Sequence, residues 1–381
     1  MEIDRALQAG LAGLFAGFAA LTIQDVVMIA VGCVLIYLAI ARGLEPLLLL
    51  PIGFGAIIVN IPGAGLMEPG GVLRTIYDAG VLTELFPVLI FVGIGAMTDF
   101  GPLLQTPRII LLGAAGQFGI FITLFLALML GFPPLQSVAI GVIGAMDGPT
   151  AIYVTSRYAP ELLGAVSVAA YSYMSLVPLV QPPIMRLLTT KAERGIVMPP
   201  VRGAVSKKVK ILFPLVVVIV GSLIAPAGTP LLASIMLGNL MRESGVVDRL
   251  ADTASNELAN IVTLLLGISI GATMESSKFL TTTTLIILGL GFVAICFDTV
   301  CGVLFGKLMC ITSGGKINPL IGAAGVSAYP MAARVVQAEG QRYNRRNYLL
   351  MHAMGANTGG QLGSVMAAAI MLAVVTGLGL G

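Results

Sequence analysis

The fold class this sequence predicts is an all-α polytopic membrane protein with about nine to twelve hydrophobic elements in two internal repeats. Composition is the first reason. Of 381 residues, 57% are hydrophobic and 10% charged, and mean hydropathy is +1.00. A soluble domain carries roughly 25% charged residues. Long uncharged runs are the second reason. Val26 to Ala41, Ile109 to Leu130, Ile211 to Ala225, Leu280 to Phe297 and Val365 to Leu380 are nearly free of charge. Each approaches the ~20 residues that cross a bilayer.

The elements follow in order. Residues 1–22, MEIDRALQAGLAGLFAGFAALT, do not form a convincing signal peptide, because Glu2 and Asp4 offset Arg5 and no clear cleavage site follows. The segment reads as an amphipathic interfacial helix or a short extra span. Residues 23–188 form a first membrane repeat. Residues 189–208 are the core of a basic linker. From Arg186 to Lys210 there are seven Lys or Arg against one acid, Glu193. The positive-inside rule places this linker in the cytoplasm. Residues 209–381 form the second repeat. The formal charge of +3 is concentrated at the linker and does not indicate nucleic-acid binding.

Matches between the halves are the third reason. PLLLLPIGFG (Pro46 to Gly55) answers to PLLASIMLGN (Pro230 to Asn239), and GIGAMTD (Gly93 to Asp99) to SIGATME (Ser269 to Glu275). GAMDGPTAIY (Gly144 to Tyr153) answers to GAAGVSAYPM (Gly322 to Met331), and the stretch from Tyr173 falls where that from His352 falls. The spacing stays at roughly 176 to 185 residues and the order is preserved. Such repeats build secondary transporters, in which inverted halves and broken helices meet near the midplane. One re-entrant hairpin per half, at 134–160 and 312–335, would make the repeats inverted. Broken backbone at membrane depth is tolerated only inside protein or beside a water-filled cavity.

The chemistry concentrates in these breaks. Asp147 is an ionisable group in apolar surroundings, followed at once by Gly148 and Pro149. An intramembrane charge is by default functional. A carboxylate with freed carbonyls and with the hydroxyls of Thr150, Thr155 and Ser156 suits a hard monovalent cation such as Na⁺. The competing reading is a helix cap or a partner of Arg157. In the second half, Asn318 and Ser327 supply neutral oxygens. Arg334 supplies a fork suited to a carboxylate, or snorkels at a helix end. Asn357 and Thr358 precede a Gly-rich helix, where tight packing is the alternative. Tyr173 could donate a proton or sit as an interfacial aromatic. The lone His352 builds no His-rich metal site. No Walker-type phosphate loop is present, which argues against ATP drive.

The stretch GAMDGPTAIYVTSRYAPELLGAVSVAAYSYMSLVPLVQPPIMRLLTT resembles the signature of the β subunit of sodium-pumping biotin-dependent decarboxylases. YLAIARGLEPLLLLPIGFGAIIVNIPG, NPLIGAAGVSAYPMAARVVQ and GANTGGQLGSVMAAAI also match, so the resemblance covers nearly the whole chain. It implies a subunit of the inner membrane that decarboxylates carboxybiotin and exports Na⁺. The family's functional Asp and Tyr fall on Asp147 and Tyr173. Its Asn, Gly, Ser and Arg fall on Asn318, Gly322, Ser327 and Arg334, and its late Asn on Asn357. The implied roles are Tyr173, Arg334 and Asp147 in catalysis; Arg334, Asn318 and Gly322 toward biotin; and Asp147, Ser327, Asn357 and Asn318 toward Na⁺.

The motifs are shared across oxaloacetate, methylmalonyl-CoA, glutaconyl-CoA and malonate enzymes and do not select the acid. The chain has no Met-Lys-Met biotin-attachment motif, so biotin would arrive as carboxybiotin on another polypeptide. The implied partners are biotin-carrier and carboxyltransferase subunits, a small membrane-anchored subunit and the lipid bilayer; homo-oligomers are compatible. The alternative function is a Na⁺-coupled secondary transporter with no chemical step. A cation site alone would need neither the Tyr173 phenol nor the Arg334 guanidinium.

Overall fold

The computed structural model describes residues 15–200 and 203–379. Most of the interfacial segment expected at 1–22 lies outside them, and its described part holds one short helix, Ala16–Ala19. The described residues are helical, with no strand. Six helices among them are long and apolar enough to cross a bilayer: Ile23–Arg42, Pro107–Met129, Pro160–Leu188, Asp248–Ala272, Thr282–Thr312 and Leu350–Val375. Val72–Gly80 and Leu85–Met97, bent by 63°, make a seventh if taken as one broken span.

Local chemistry sets the helix ends. Helix α1 (Ile23–Arg42) opens on a capping box between Thr22 and Asp25 and ends at left-handed Gly43, φ 63°. Glu45 caps α2 (Pro46–Val59) without a side-chain bond, and Pro46 takes the first helical position. The first half continues through α3 (Val72–Gly80), α4 (Leu85–Met97), α5 (Ile110–Ala115), α6 (Phe118–Met129), α7 (Pro134–Gly141), α8 (Gly148–Tyr158) and α9 (Leu163–Leu188). The second half holds α10 (Lys207–Ile224), α11 (Thr229–Ser244), α12 (Ala259–Ala272), α13 (Thr282–Thr312), α14 (Met331–Tyr343) and α15 (Leu350–Gly377).

Helix α2 packs on α12, and α4 on α11. A membrane offers no hydrophobic drive between helices, so close approach of small residues supplies the attraction. At the α4–α11 crossing, a Cβ on Gly95 would lie 1.9 Å from the Ile235 carbonyl oxygen. At the α2–α12 crossing, a Cβ on Gly271 would lie 2.2 Å from the Ile52 carbonyl oxygen. Both crossings need backbone against backbone.

Polar contacts mark the two ends of the bundle. At one end, Ser276 Oγ donates to Asp25 at 2.6 Å and Asn60 Nδ2 donates to the Met274 carbonyl at 2.9 Å. At the other, Lys210 Nζ lies 3.2 Å from Glu243, and Asn239 Nδ2 donates to the Thr98 carbonyl at 3.0 Å. The basic linker joins α9 to α10 at this second end. Helix α1 therefore begins at the end opposite to the one where α10 begins.

Two broken hairpins lie between the spans. The first runs through α7 and α8. It starts and finishes at the Asp25 end, where Gln136 Nε2 donates to Glu161 at 2.9 Å. Its turn is at Met146, a left-handed residue with φ 49°. The second runs from Asn318 through the 3₁₀ turn Pro319–Gly325 to the end of α14. Both of its ends bind the basic linker. Asn318 Nδ2 donates to the Arg194 and Ile196 carbonyls at 3.1 and 2.9 Å, and Asn347 Nδ2 to the Arg194 carbonyl at 3.2 Å.

An ion pair between an exposed arginine and a buried glutamate holds this second hairpin. Arg186 on α9 grips both oxygens of Glu339, at 2.6 and 2.8 Å, and Glu339 is 2% exposed. The Arg186 hydrogen bond, opposed by desolvation and helped by the charges of Arg186, Arg342 and Arg194, holds the Glu339 carboxyl below its usual range. A lowered carboxyl contributes stability above its unfolded pKa, about 4.3, and loses it as pH falls through the folded value. Glu339→Gln should therefore lower the unfolding temperature at neutral pH and flatten its decline in acid. Parallel melting curves at neutral and acid pH check this; equal losses at both would refute the ionic account.

Candidate functional site

The turn of the first hairpin presents Asp147. It caps α8, and burial leaves it 4% exposed. Its carboxylate accepts from the Thr150 hydroxyl at 2.7 Å and the Ser364 hydroxyl of α15 at 2.8 Å. Gly148 is required beside it, because a Cβ there would stand 2.1 Å from the ring of Tyr171 on α9. The Tyr171 hydroxyl is buried, has no hydrogen-bond partner, and lies within electrostatic reach of Asp147 and Glu45.

The second hairpin brings Ser327 to the same helix. Its hydroxyl donates to the Gly360 carbonyl of α15 at 2.9 Å. Asn357, also on α15, donates from Nδ2 to the Val326 carbonyl at 2.6 Å and leaves Oδ1 buried without a partner. Gln117 spans between the pieces, with Nε2 3.2 Å from both the Gly325 and Gly360 carbonyls and Oε1 buried and unpartnered. Both hairpin tips thus rest on the Gly360–Ser364 stretch of α15. Unpartnered buried oxygens are uncommon in native structures and call for an occupant or a function.

Between the tips and the basic end runs a cavity of about 740 Å³. Asp147, Tyr171 and Ser327 line its depth, and Glu45, Met97, Arg334 and Leu350 line it toward the basic end. Much of the remaining wall is apolar, including Leu48, Ile90, Met174 and Met354. The Arg334 side chain makes no hydrogen bond or ion pair, so its fork is free to meet an anion in the cavity. No group of three His, Cys, Asp or Glu side chains stands together among the described residues. The oxygens here are of the mixed carboxylate, hydroxyl and amide kind that suits a hard cation.

Asp147, Ser327 and Arg334 line one cavity, and Asn357 stands just behind Ser327. Three other expected residues lie elsewhere. Tyr173 points away. Its hydroxyl donates to the Leu288 carbonyl of α13 at 2.5 Å, and its ring tilts against Phe292. Residues i and i+2 of a helix face different ways, so Tyr171 turns to Asp147 and Tyr173 to α13. Asn318 sits where the hairpin meets the linker, with Nδ2 on two linker carbonyls and Oδ1 accepting from Leu320 N at 3.0 Å. All of its capacity goes to holding backbone. Gly322 packs on Gly302 of α13, where a Cβ would lie 1.9 Å from a carbonyl oxygen. Its place is a backbone crossing outside the cavity.

Sequence reasoning missed Glu45, Gln117, Tyr171, Asp298 and Ser364. Asp298 is a second buried carboxylate, fully enclosed on α13. One oxygen accepts from Gly119 N at 2.6 Å and the other has no partner. The rule that singled out Asp147 applies equally to the acid in ICFDTVCG. Glu45, Gln117 and Ser364 carried no comparable signal.

The chain as a whole matches known proteins. Residues 24–375 match the family model described as Na⁺-transporting oxaloacetate decarboxylase beta subunit. The glutaconyl-CoA decarboxylase subunit beta of Acidaminococcus fermentans is 54% identical, over 95% of this chain and 96% of its own length. The methylmalonyl-CoA decarboxylase subunit beta of Veillonella parvula is 55% identical over 94% and 95%. The oxaloacetate decarboxylase beta chain of Klebsiella pneumoniae is 47% identical over 98% and 99%.

Proposed function

This chain belongs to the Na⁺-transporting oxaloacetate decarboxylase beta-subunit family, and on that premise we propose that its cavity receives carboxybiotin carried by a partner chain. The protein is a multi-pass subunit of the inner membrane, and its family couples decarboxylation to Na⁺ export. The relatives are named for three different acids or acyl-CoAs. That supports a reactant common to all three, formed upstream of this subunit, rather than recognition of any one acid here.

The observation that carries the reading is one cavity lined by both Asp147 and Arg334 and reaching the basic end. Arg334 would hold the carboxylate of the incoming group. The apolar wall excludes water and favours loss of charge as CO₂. Asp147, with Ser327 and Asn357, would bind the transported Na⁺. Thr150 and Ser364 orient the carboxylate, and the unpartnered Asn357 oxygen offers a neutral ligand. Tyr173 would act through α13 rather than on the reacting atoms. Release of CO₂ from a carboxybiotinylated carrier by the purified complex, with and without Na⁺, tests the assignment. Na⁺ movement with no CO₂ release would leave the secondary-transporter reading.

The alternating-access part rests on orientation. The opposite starting ends of α1 and α10, and hairpins entering from opposite ends, support inverted repeats. Cysteines placed at Thr106 and Thr281, roughly equivalent positions, should react with impermeant reagent from opposite membrane faces. Labelling from one face would rule the inverted arrangement out.

A further inference from the structure

Glu45 has no part in the roles assigned so far, yet its position is unusual in three independent ways. Its backbone is left-handed, φ 36° and ψ 58°, in a non-glycine residue. Such conformations cost about 1–3 kcal/mol and cluster at functional sites. Its side chain makes no cap bond to α2 and no ion pair. It is half-buried and faces the cavity that holds Arg334 and Asp147. The other titratable groups facing that cavity are Tyr171 and Tyr329.

We propose that Glu45 is the acid that delivers the proton consumed when carboxybiotin loses CO₂ in this cavity; this rests on the reading of the cavity as the decarboxylation site. The step balances. The bond between the ureido nitrogen and the carboxylate carbon breaks, and CO₂ departs. The electron pair stays on nitrogen, and the proton on a Glu45 carboxyl oxygen moves to it. Glu45 is left as carboxylate and is reprotonated before the next turnover.

The other groups suit the task less well. Arginine holds its proton too tightly for transfer near neutral pH, and a phenol, titrating at about 10, is less well matched to that pH than a carboxylic acid raised toward it. At the depth of the cavity, one Asp147 oxygen accepts both hydroxyl bonds and the other accepts from the Thr150 backbone N–H at 3.4 Å. Glu45 is uncommitted, and it lies in the loop between α1 and α2, outside the spans. Burial there raises its carboxyl above the usual range. An acid moved toward the working pH is the better donor.

The test compares the full complex with Glu45→Gln and Glu45→Gly variants. Infrared titration should show a protonated-carboxyl band in the wild type that both variants lack, with a midpoint above that of an ordinary glutamate. The wild-type CO₂-release rate should fall as pH rises through that midpoint. Both variants should lose that pH dependence and roughly 10² or more in rate, with the Na⁺ half-saturation unchanged. Glu45→Gly relieves the left-handed strain, so it should melt no lower than wild type and separates lost chemistry from lost folding. If either variant keeps the wild-type rate and pH profile, Glu45 is not the donor. If the wild-type complex itself releases no CO₂ from the carboxybiotinylated carrier, the underlying reading fails instead.

Discussion

Asp147→Asn should abolish Na⁺ uptake into proteoliposomes and raise the Na⁺ concentration for half-maximal CO₂ release by roughly 10- to 100-fold. The magnitude is that of one contact to a charged group, about 1.5–3 kcal/mol. The geometry supports a selective effect. The amide keeps the shape of the carboxylate, and one oxygen of Asn could still accept from Thr150 or Ser364, which now lie 2.7 and 2.8 Å from Asp147. The loss is therefore of charge at a ligand rather than of the hairpin turn, and the unfolding temperature should change little. Asp147→Glu is a poorer probe, because Asp147 is buried and Tyr171 already crowds the adjacent Gly148. Sodium titration of CO₂ release, with tracer uptake in parallel, reads both quantities. An unchanged half-saturation in Asp147→Asn would remove Asp147 from the cation site.

Gly322→Ala should destabilise the protein by about 3 kcal/mol, the upper part of the range for overpacking. The Cβ would lie 1.9 Å from the Gly302 carbonyl oxygen, and a Cβ on Gly302 would lie 2.3 Å from that of Gly322. Both obstacles are backbone, so no side chain can turn aside. Relief requires α13 to move off the 3₁₀ turn Pro319–Gly325, and the neighbouring tip carries Ser327. CO₂ release and Na⁺ uptake should fall together with the unfolding temperature. The KM for the carboxybiotinylated carrier should not rise selectively. A variant of wild-type stability with only a raised KM would restore Gly322 to the substrate site.

These two residues show what a linear reading resolves. Asp147 and Gly322 are both legible as positions where the family pattern and the local chemistry agree. Only for Asp147 does local chemistry suffice, because a carboxylate in an apolar span is anomalous in any fold. A glycine permits either ligand approach or helix approach, and the partner across the gap decides which. Asn318 is similar. As a helix cap it could face a cation or a backbone, and the linker carbonyls of Arg194 and Ile196 occupy it.

The sequence by itself determined the solvent, the helical class, the basic end, the two breaks in the spans and the family. The family follows from motif resemblance, and the others from composition and local backbone chemistry, which no neighbour can change. Only the tertiary structure decided which faces meet. It turned Tyr171 rather than Tyr173 toward Asp147, set Ser364 on the Asp147 carboxylate and drew Glu45 into the cavity of Arg334. In a membrane, hydropathy is much the same on every lipid-like face, so it does not specify rotation about a helix axis. Close contacts of small residues and a few hydrogen bonds specify it, and these form between residues far apart in the chain.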